Sequence, residues 1–77
     1  MKIEKTERGF AVGEFVDRYG AKCSIQKSSL AFENCIWLGL EEGTHVDGTC
    51  CARMHLTQEM VKDLLPRLQK FVETGEI

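Results

Sequence analysis

The last twenty residues of the chain constrain its fold most, because their apolar residues recur at helical spacing. Seven apolar residues recur at intervals of three and four and so form one stripe: Met60, Val61, Leu64, Leu65, Leu68, Phe71 and Val72. Thr57 is a typical N-cap and Gly75 a typical stop, so we predict a helix over residues 57–74. Pro66 leaves the phase of the stripe unchanged, which favours a kink over a break. An amphipathic helix of this kind needs a sheet on which to bury its stripe.

Residues 10–56 are predicted to supply that sheet as four strands. The first strand, 10–16, is rich in Phe and Val, and Gly13 within it indicates a bulge or a close approach. Asp17-Arg18-Tyr19-Gly20 is typical of a type I turn followed by a left-handed residue, which returns the chain into the strand 21–26. Two further strands are predicted over 34–40 and 52–56.

The predicted fold is therefore a single α+β domain over residues 1–77, a four-stranded, mainly antiparallel sheet with the C-terminal helix packed on one face. Residues 1–8 are polar and are expected to be frayed or to join the sheet edge late. Glu41 to Thr49 is expected to be a loop, because it carries Glu42-Gly43 and Asp47-Gly48.

Composition disfavours several classes of protein. The net charge is −2 and the basic residues are scattered along the chain, whereas nucleic-acid binders of this size carry a concentrated basic patch. The N-terminus has charges and no apolar h-region, and no apolar run approaches the roughly 20 residues that span a bilayer. We therefore expect a cytoplasmic protein without membrane contact, whose four cysteines stay reduced.

A zinc site is the first chemical alternative. The possible ligands within eleven residues are His45, Cys50, Cys51 and His55, and Cys23 or Cys35 could join them across the sheet. Structural zinc sites usually pair their ligands as C-x2-C, a spacing that this chain lacks. A Cys–His nucleophile would also need an oxyanion site and a cleft, for which a small sheet with one helix has little room. We predict no catalytic residue, no metal and no cofactor.

The outer face of the sheet is the predicted binding surface. If Ile36, Leu38 and Leu40 point to the helix, the opposite face carries Trp37, Arg53, His55, Lys22, Ser24 and Gln26. Tryptophan and arginine amid small polar residues are typical of a binding hot spot. The continuous apolar run leaves the opposite register open, with Trp37 in the core. Phe10 and Phe15 have opposite parity, which favours a dimer or partner surface.

Three motifs lie along the predicted sheet: F-x-D-x-Y-G-x-x-C-S-I-Q-x-S-S from Phe15, I-W-L-G from Ile36 and R-M-H-L-T from Arg53. In this pattern the chain, over residues 10–77, resembles a family of small, mostly uncharacterised proteins encoded by bacteriophages and prophages. The resemblance carries over no catalytic or cofactor residue. His45 to Cys51 lie outside the motifs, which weighs against zinc.

The resemblance implies a small phage protein that occupies a surface of a host protein. We therefore expect a non-enzymatic protein-binding module, in its most specific version an inhibitor of a bacterial defence system such as CRISPR-Cas, with a homodimer as a further expectation. The alternatives are a small zinc-stabilised domain and a nucleic-acid-associated phage accessory factor.

Overall fold

The computed structural model describes residues 1–44 and 50–77, and the side chains of residues 1–42 and 52–77. Over these residues the elements are β1 (Ile3–Lys5), β2 (Ala11–Val16), β3 (Lys22–Lys27), β4 (Cys35–Thr44), β5 (Cys50–Thr57) and α1 (Gln58–Thr74). The strands pair in chain order, each antiparallel to the next, so the sheet is an open meander. The predicted α+β class is confirmed.

The sheet has a fifth strand, β1, which corrects the prediction of four. Ile3 of β1 pairs with Gly13 of β2. A Cβ atom on Gly13 would lie 2.5 Å from the sulfur of Met1 and 2.8 Å from Cδ1 of Ile3, so the glycine makes room for both side chains. The N-terminus therefore joins the sheet through backbone pairing and this close approach. Its polar composition does not by itself indicate a strand.

The turn between β2 and β3 has the predicted geometry. The Asp17 carboxylate accepts hydrogen bonds from the backbone N–H groups of Tyr19, at 2.8 Å, and of Ala21, at 2.9 Å. Gly20 takes a φ of +82°, a conformation that glycine adopts at little cost. An aspartate at the first position and a left-handed glycine at the last fix the register of this hairpin.

The connection between β4 and β5 begins later than predicted. β4 continues through Glu41 to Thr44, with a register shift between Leu40 and Thr44. The remainder of the predicted loop, residues 45–49, lies outside the described residues.

The two faces of the sheet differ in chemistry, because alternate residues of a strand point to opposite sides. What we call the apolar face includes Phe15, Cys23, Ile25, Lys27, Ile36, Leu38, Leu40, Ala52, Met54 and Leu56. The opposite side, called the polar face here, includes Glu14, Lys22, Ser24, Gln26, Cys35, Trp37, Arg53 and His55. The sheet thus has the register in which Trp37 lies opposite the aliphatic residues.

Helix α1 begins and ends at the residues that its sequence marks. The Thr57 hydroxyl accepts a hydrogen bond from the N–H of Met60, and Gly75 closes the helix with a φ of +80° and a bond to the Phe71 carbonyl. The helix is continuous through Pro66. Among the described residues, no helix has the length and apolar character needed to cross a membrane.

The helix does not pack across the sheet, which corrects the sequence-based prediction. None of the residues of α1, all of which the structure describes, is buried, and Leu68 and Phe71 are 55% and 56% exposed. Since β5 ends at Thr57 and α1 starts at Gln58, no residues remain to turn the helix back over the sheet. In the described part of the chain, the buried apolar side chains are only Cys23 and Cys35.

Candidate functional site on the polar face

All six predicted partner-binding residues lie on the polar face. Gln26 of β3, Trp37 of β4 and His55 of β5 form one row across the three strands. Ser24 and Arg53 belong to the next row, on either side of Gly39. Lys22, exposed at the start of β3, completes the set, so the strand register alone brings the six residues to one surface.

Trp37 and His55 form a stacked pair at the centre of this face. Their ring centroids lie 3.9 Å apart with an interplanar angle of 10°. Nε2 of His55 lies 2.9 Å from the hydroxyl oxygen of the buried Ser28, which also accepts a hydrogen bond from the N–H of Leu30. The imidazole is therefore fixed from two sides, by the Trp37 indole and by the Ser28 hydroxyl.

Arg53 bridges β5 to β3 across the strand between them. Its Nη1 donates a 2.9 Å hydrogen bond to Oε1 of Gln26, and its guanidinium carbon lies 5.5 Å from the centre of the Trp37 ring. Gly39, the neighbour of Arg53 on β4, has no side chain to block this path and takes a φ of +139°. Trp37, Arg53, Gln26, His55 and Ser28 thus form one contiguous cluster, called the Trp–Arg cluster below.

Ser24 needs a correction as a contact residue. It is fully buried, with 0% of its surface exposed, because it lies on the central strand β3 between β2 and β4. Among the described residues, neither the Ser24 hydroxyl nor Nε of Arg53 has a hydrogen-bond partner. Such buried unpaired atoms are uncommon in folded proteins and lower stability, so this region of the face is held at some cost.

A groove of ≈ 350 Å³ opens beside Trp37, and the N-terminal turn forms its other wall. The turn is closed by a 2.8 Å hydrogen bond from the N–H of Thr6 to the Phe10 carbonyl, and the Arg8 guanidinium lies over the Phe10 ring at 5.6 Å. Phe10 and Arg8 both line the groove. The sequence-based prediction missed this wall, because it left residues 1–8 as either frayed or joined late to the sheet edge; the opposite parity of Phe10 and Phe15 was its only signal.

The proposed zinc ligands are only partly described. His45 lies outside the described residues, as do the side chains of Cys50 and Cys51. Cys23 and Cys35 are buried free thiols, and the register places them on opposite faces of the sheet. Among the side chains that the structure describes, those of residues 1–42 and 52–77, no three His, Cys, Asp or Glu residues come together to hold a metal ion.

A comparison of this chain with protein-family models, with curated proteins and with solved structures finds no match. The case for a function therefore depends on the geometry of the polar face.

Proposed function

We propose that this chain is a non-enzymatic protein-binding module that captures a host protein on its polar face. The Trp–Arg cluster is the observation that supports this most directly. Tryptophan and arginine dominate the binding energy of protein interfaces. Here both are held in place before binding, Trp37 by its stack on His55 and Arg53 by its bond to Gln26. Side chains that are ordered in advance lose less entropy when a partner docks.

The chemistry of the surface favours a partner segment that presents an apolar side chain next to a carboxylate. The groove beside Trp37 has an aromatic wall in Phe10, which suits an apolar side chain. Arg8 lines this groove together with Glu7, and the Arg53 guanidinium lies near the Trp37 ring, so two cations against one carboxylate leave positive charge to pair with a partner carboxylate. Farther along the face the exposed Lys22 and Glu14 carry opposite charges.

The resemblance of the motifs to phage proteins supports the cellular setting of the proposal. In that setting the host partner is a component of a bacterial defence system, such as a CRISPR-Cas effector, that the module inhibits by occupying its surface. A nucleic-acid partner has less support, since the chain carries a net charge of −2.

Capture from a bacterial host lysate tests the proposal. Wild-type protein, Trp37→Ala and Arg53→Ala are immobilised in equal amounts, and the retained proteins are identified by mass spectrometry. We expect each substitution to weaken capture of the main partner about 30-fold, as loss of an interface hot spot worth about 2 kcal/mol does. Circular dichroism should show that both variants keep the wild-type fold.

The β2–β3 turn supplies matched controls, because Tyr19 is 91% exposed and Arg18 lies over its ring. Tyr19→Ala and Arg18→Ala remove an aromatic ring and a guanidinium group away from the polar face. Both variants are expected to capture the partner as well as the wild-type protein does. Retention of the partner by folded Trp37→Ala and Arg53→Ala would contradict the proposal. So would equal losses in the turn variants.

A further inference from the structure

Two apolar surfaces of this chain lie uncovered and face the same groove. One is the apolar face of the sheet, where Met54 is 50% exposed and Leu40 37%. The other is the apolar stripe of α1. A groove of ≈ 640 Å³ separates them, lined by Ile36 and Leu56 of the sheet and by Val61 of the helix among others. Both halves of a helix-on-sheet core are thus present in one chain without being packed together.

The accessible surface of the chain measures how much packing is missing. A compact monomer of 8.7 kDa exposes about 4,700 Å², whereas this chain exposes 6391 Å². The difference of about 1,700 Å² per chain sets an upper limit of about 3,400 Å² on the area that two copies could bury between them, and obligate homodimers bury about 2,000 Å² or more. The radius of gyration agrees, at 13.6 Å against about 11.5 Å for a compact chain of this length.

The junction between β5 and α1 favours a second copy as the occupant. Thr57 is at once the last residue of β5 and the N-cap of α1, so the strand passes directly into the helix. Val61 and Leu65, in the first turns of α1, line the groove with the sheet, whereas Leu68 and Phe71, farther along the stripe, are 55% and 56% exposed. A helix stripe that its own sheet leaves exposed is free to lie on the sheet of another chain.

We propose that two copies of this chain form a two-fold dimer in which α1 of each copy lies across the apolar face of the other. The dimensions fit: the 17 residues of α1 span about 25 Å, and the four strand spacings from β1 to β5 span about 19 Å. In this exchange of helices each copy contributes one helix and one sheet face, so the interface is self-complementary, as two-fold symmetry requires. The polar faces remain outside, so this inference does not rest on the proposed function.

The mass of the wild-type protein in solution is the first test. Light scattering after size exclusion, at about 10 μM protein, is expected to give twice the chain mass of 8.7 kDa. The melting temperature is expected to rise with protein concentration, because folding and association are coupled. A folded species of single-chain mass would overturn the proposal.

Paired variants test the mode of association. Leu68→Lys charges the distal stripe and Met54→Glu charges the apolar face, and each alone is expected to lose the dimer. Gln69→Lys and Lys22→Glu, which change exposed polar positions of the same helix and sheet, are expected to keep it. A 1:1 mixture of Leu68→Lys and Met54→Glu retains one unaltered helix–sheet contact, so we expect the mixture to recover the dimer mass.

Any other pattern of dimer loss and recovery among these variants would contradict the proposed exchange of helices. A dimer held by helix against helix would survive Met54→Glu, and one held by sheet against sheet would survive Leu68→Lys. If either variant unfolds alone, the mixture is read by circular dichroism together with mass, and both signals are expected to recover at least half of their wild-type values. Failure of the mixture to recover either signal would overturn the exchange.

Discussion

At the scale of single residues, Gly39 determines how closely β4 and β5 approach beneath the Trp–Arg cluster. Its φ of +139° is strained for any other residue. A Cβ atom there would also lie 3.2 Å from Cα of Arg53 and 3.3 Å from the carbonyl oxygen of Ala52, both on β5. A side chain at this position would therefore push away the strand that carries Arg53 and His55.

We expect Gly39→Ala to lower the free energy of unfolding by about 2–3 kcal/mol, from backbone strain and the collision with β5 together. Urea denaturation at fixed protein concentration measures the loss. Gly9→Ala is the matched control, because Gly9 has a φ of +87° and nothing within 4 Å of its added Cβ. Its loss is expected to be about 1 kcal/mol; equal losses would mean that the approach of β5 contributes nothing.

Within the Trp–Arg cluster, Ser28 holds His55 in place. Its hydroxyl contacts the imidazole and also accepts a hydrogen bond from the N–H of Leu30. Removing the hydroxyl leaves the imidazole nitrogen and a backbone N–H without this partner. We expect Ser28→Ala to lower the free energy of unfolding by about 1–2 kcal/mol and to weaken partner capture. The neighbouring Ser29 is exposed, and Ser29→Ala should change the free energy of unfolding by less than about 0.5 kcal/mol. Similar values for the two variants would refute this role of Ser28.

At the scale of elements, the N-cap at Thr57 sets the start of α1, at the point where β5 passes directly into the helix. Thr57→Ala removes the acceptor of the Met60 N–H, which lies 3.2 Å away. We expect a loss of about 1 kcal/mol in the free energy of unfolding, measured by thermal and urea denaturation. Thr57→Ser retains an acceptor and is expected to stay within a few tenths of a kcal/mol of wild type. If serine is as destabilising as alanine, the capping bond is not the cause.

The elements that local chemistry determines could be predicted from the sequence. The cap at Thr57, the stop at Gly75 and the turn from Asp17 to Gly20 depend on a few adjacent residues, and all three occur as expected. The sequence left residues 1–8 open between a frayed end and a strand at the sheet edge, since β1 depends on a long-range approach to Gly13. The predicted packing of α1 across the sheet was wrong. An apolar stripe indicates that one face of a helix is to be buried, but it does not indicate against which surface.

The candidate site likewise has one part that could be predicted from the sequence and another that could not. The period of two placed Arg53 and His55 on one face. It left the side of Trp37 open, because the strand around it is continuously apolar, and only the pairing of β4 with β3 and β5 decides it. The contact of Ser28 with His55, the burial of Ser24 and the groove wall at Phe10 depend on which strands and turns become neighbours. No local pattern carries that information, because each contact joins residues far apart in sequence.

At the scale of the whole molecule, the dimer would carry two polar faces pointing outward. We expect the complex with the partner to contain two copies of each protein, measured as a mass by light scattering. Wild-type protein is expected to dissociate at least tenfold more slowly from a surface coated densely with partner than from a sparsely coated one, because only the dense surface lets both polar faces of the dimer bind. A complex with one partner per dimer would show instead that the two faces do not act independently.

The single-layer sheet has a consequence for mutational tolerance. In a two-layer protein, one side of an antiparallel sheet faces water and accepts many substitutions. Here the side with Leu38 would be covered by a second chain, and the side with Trp37 would meet the partner. The strands are therefore left without a neutral side. A deep mutational scan should find few permissive positions in β3 and β4, and most of the freely variable ones in turns such as Asp17 to Gly20.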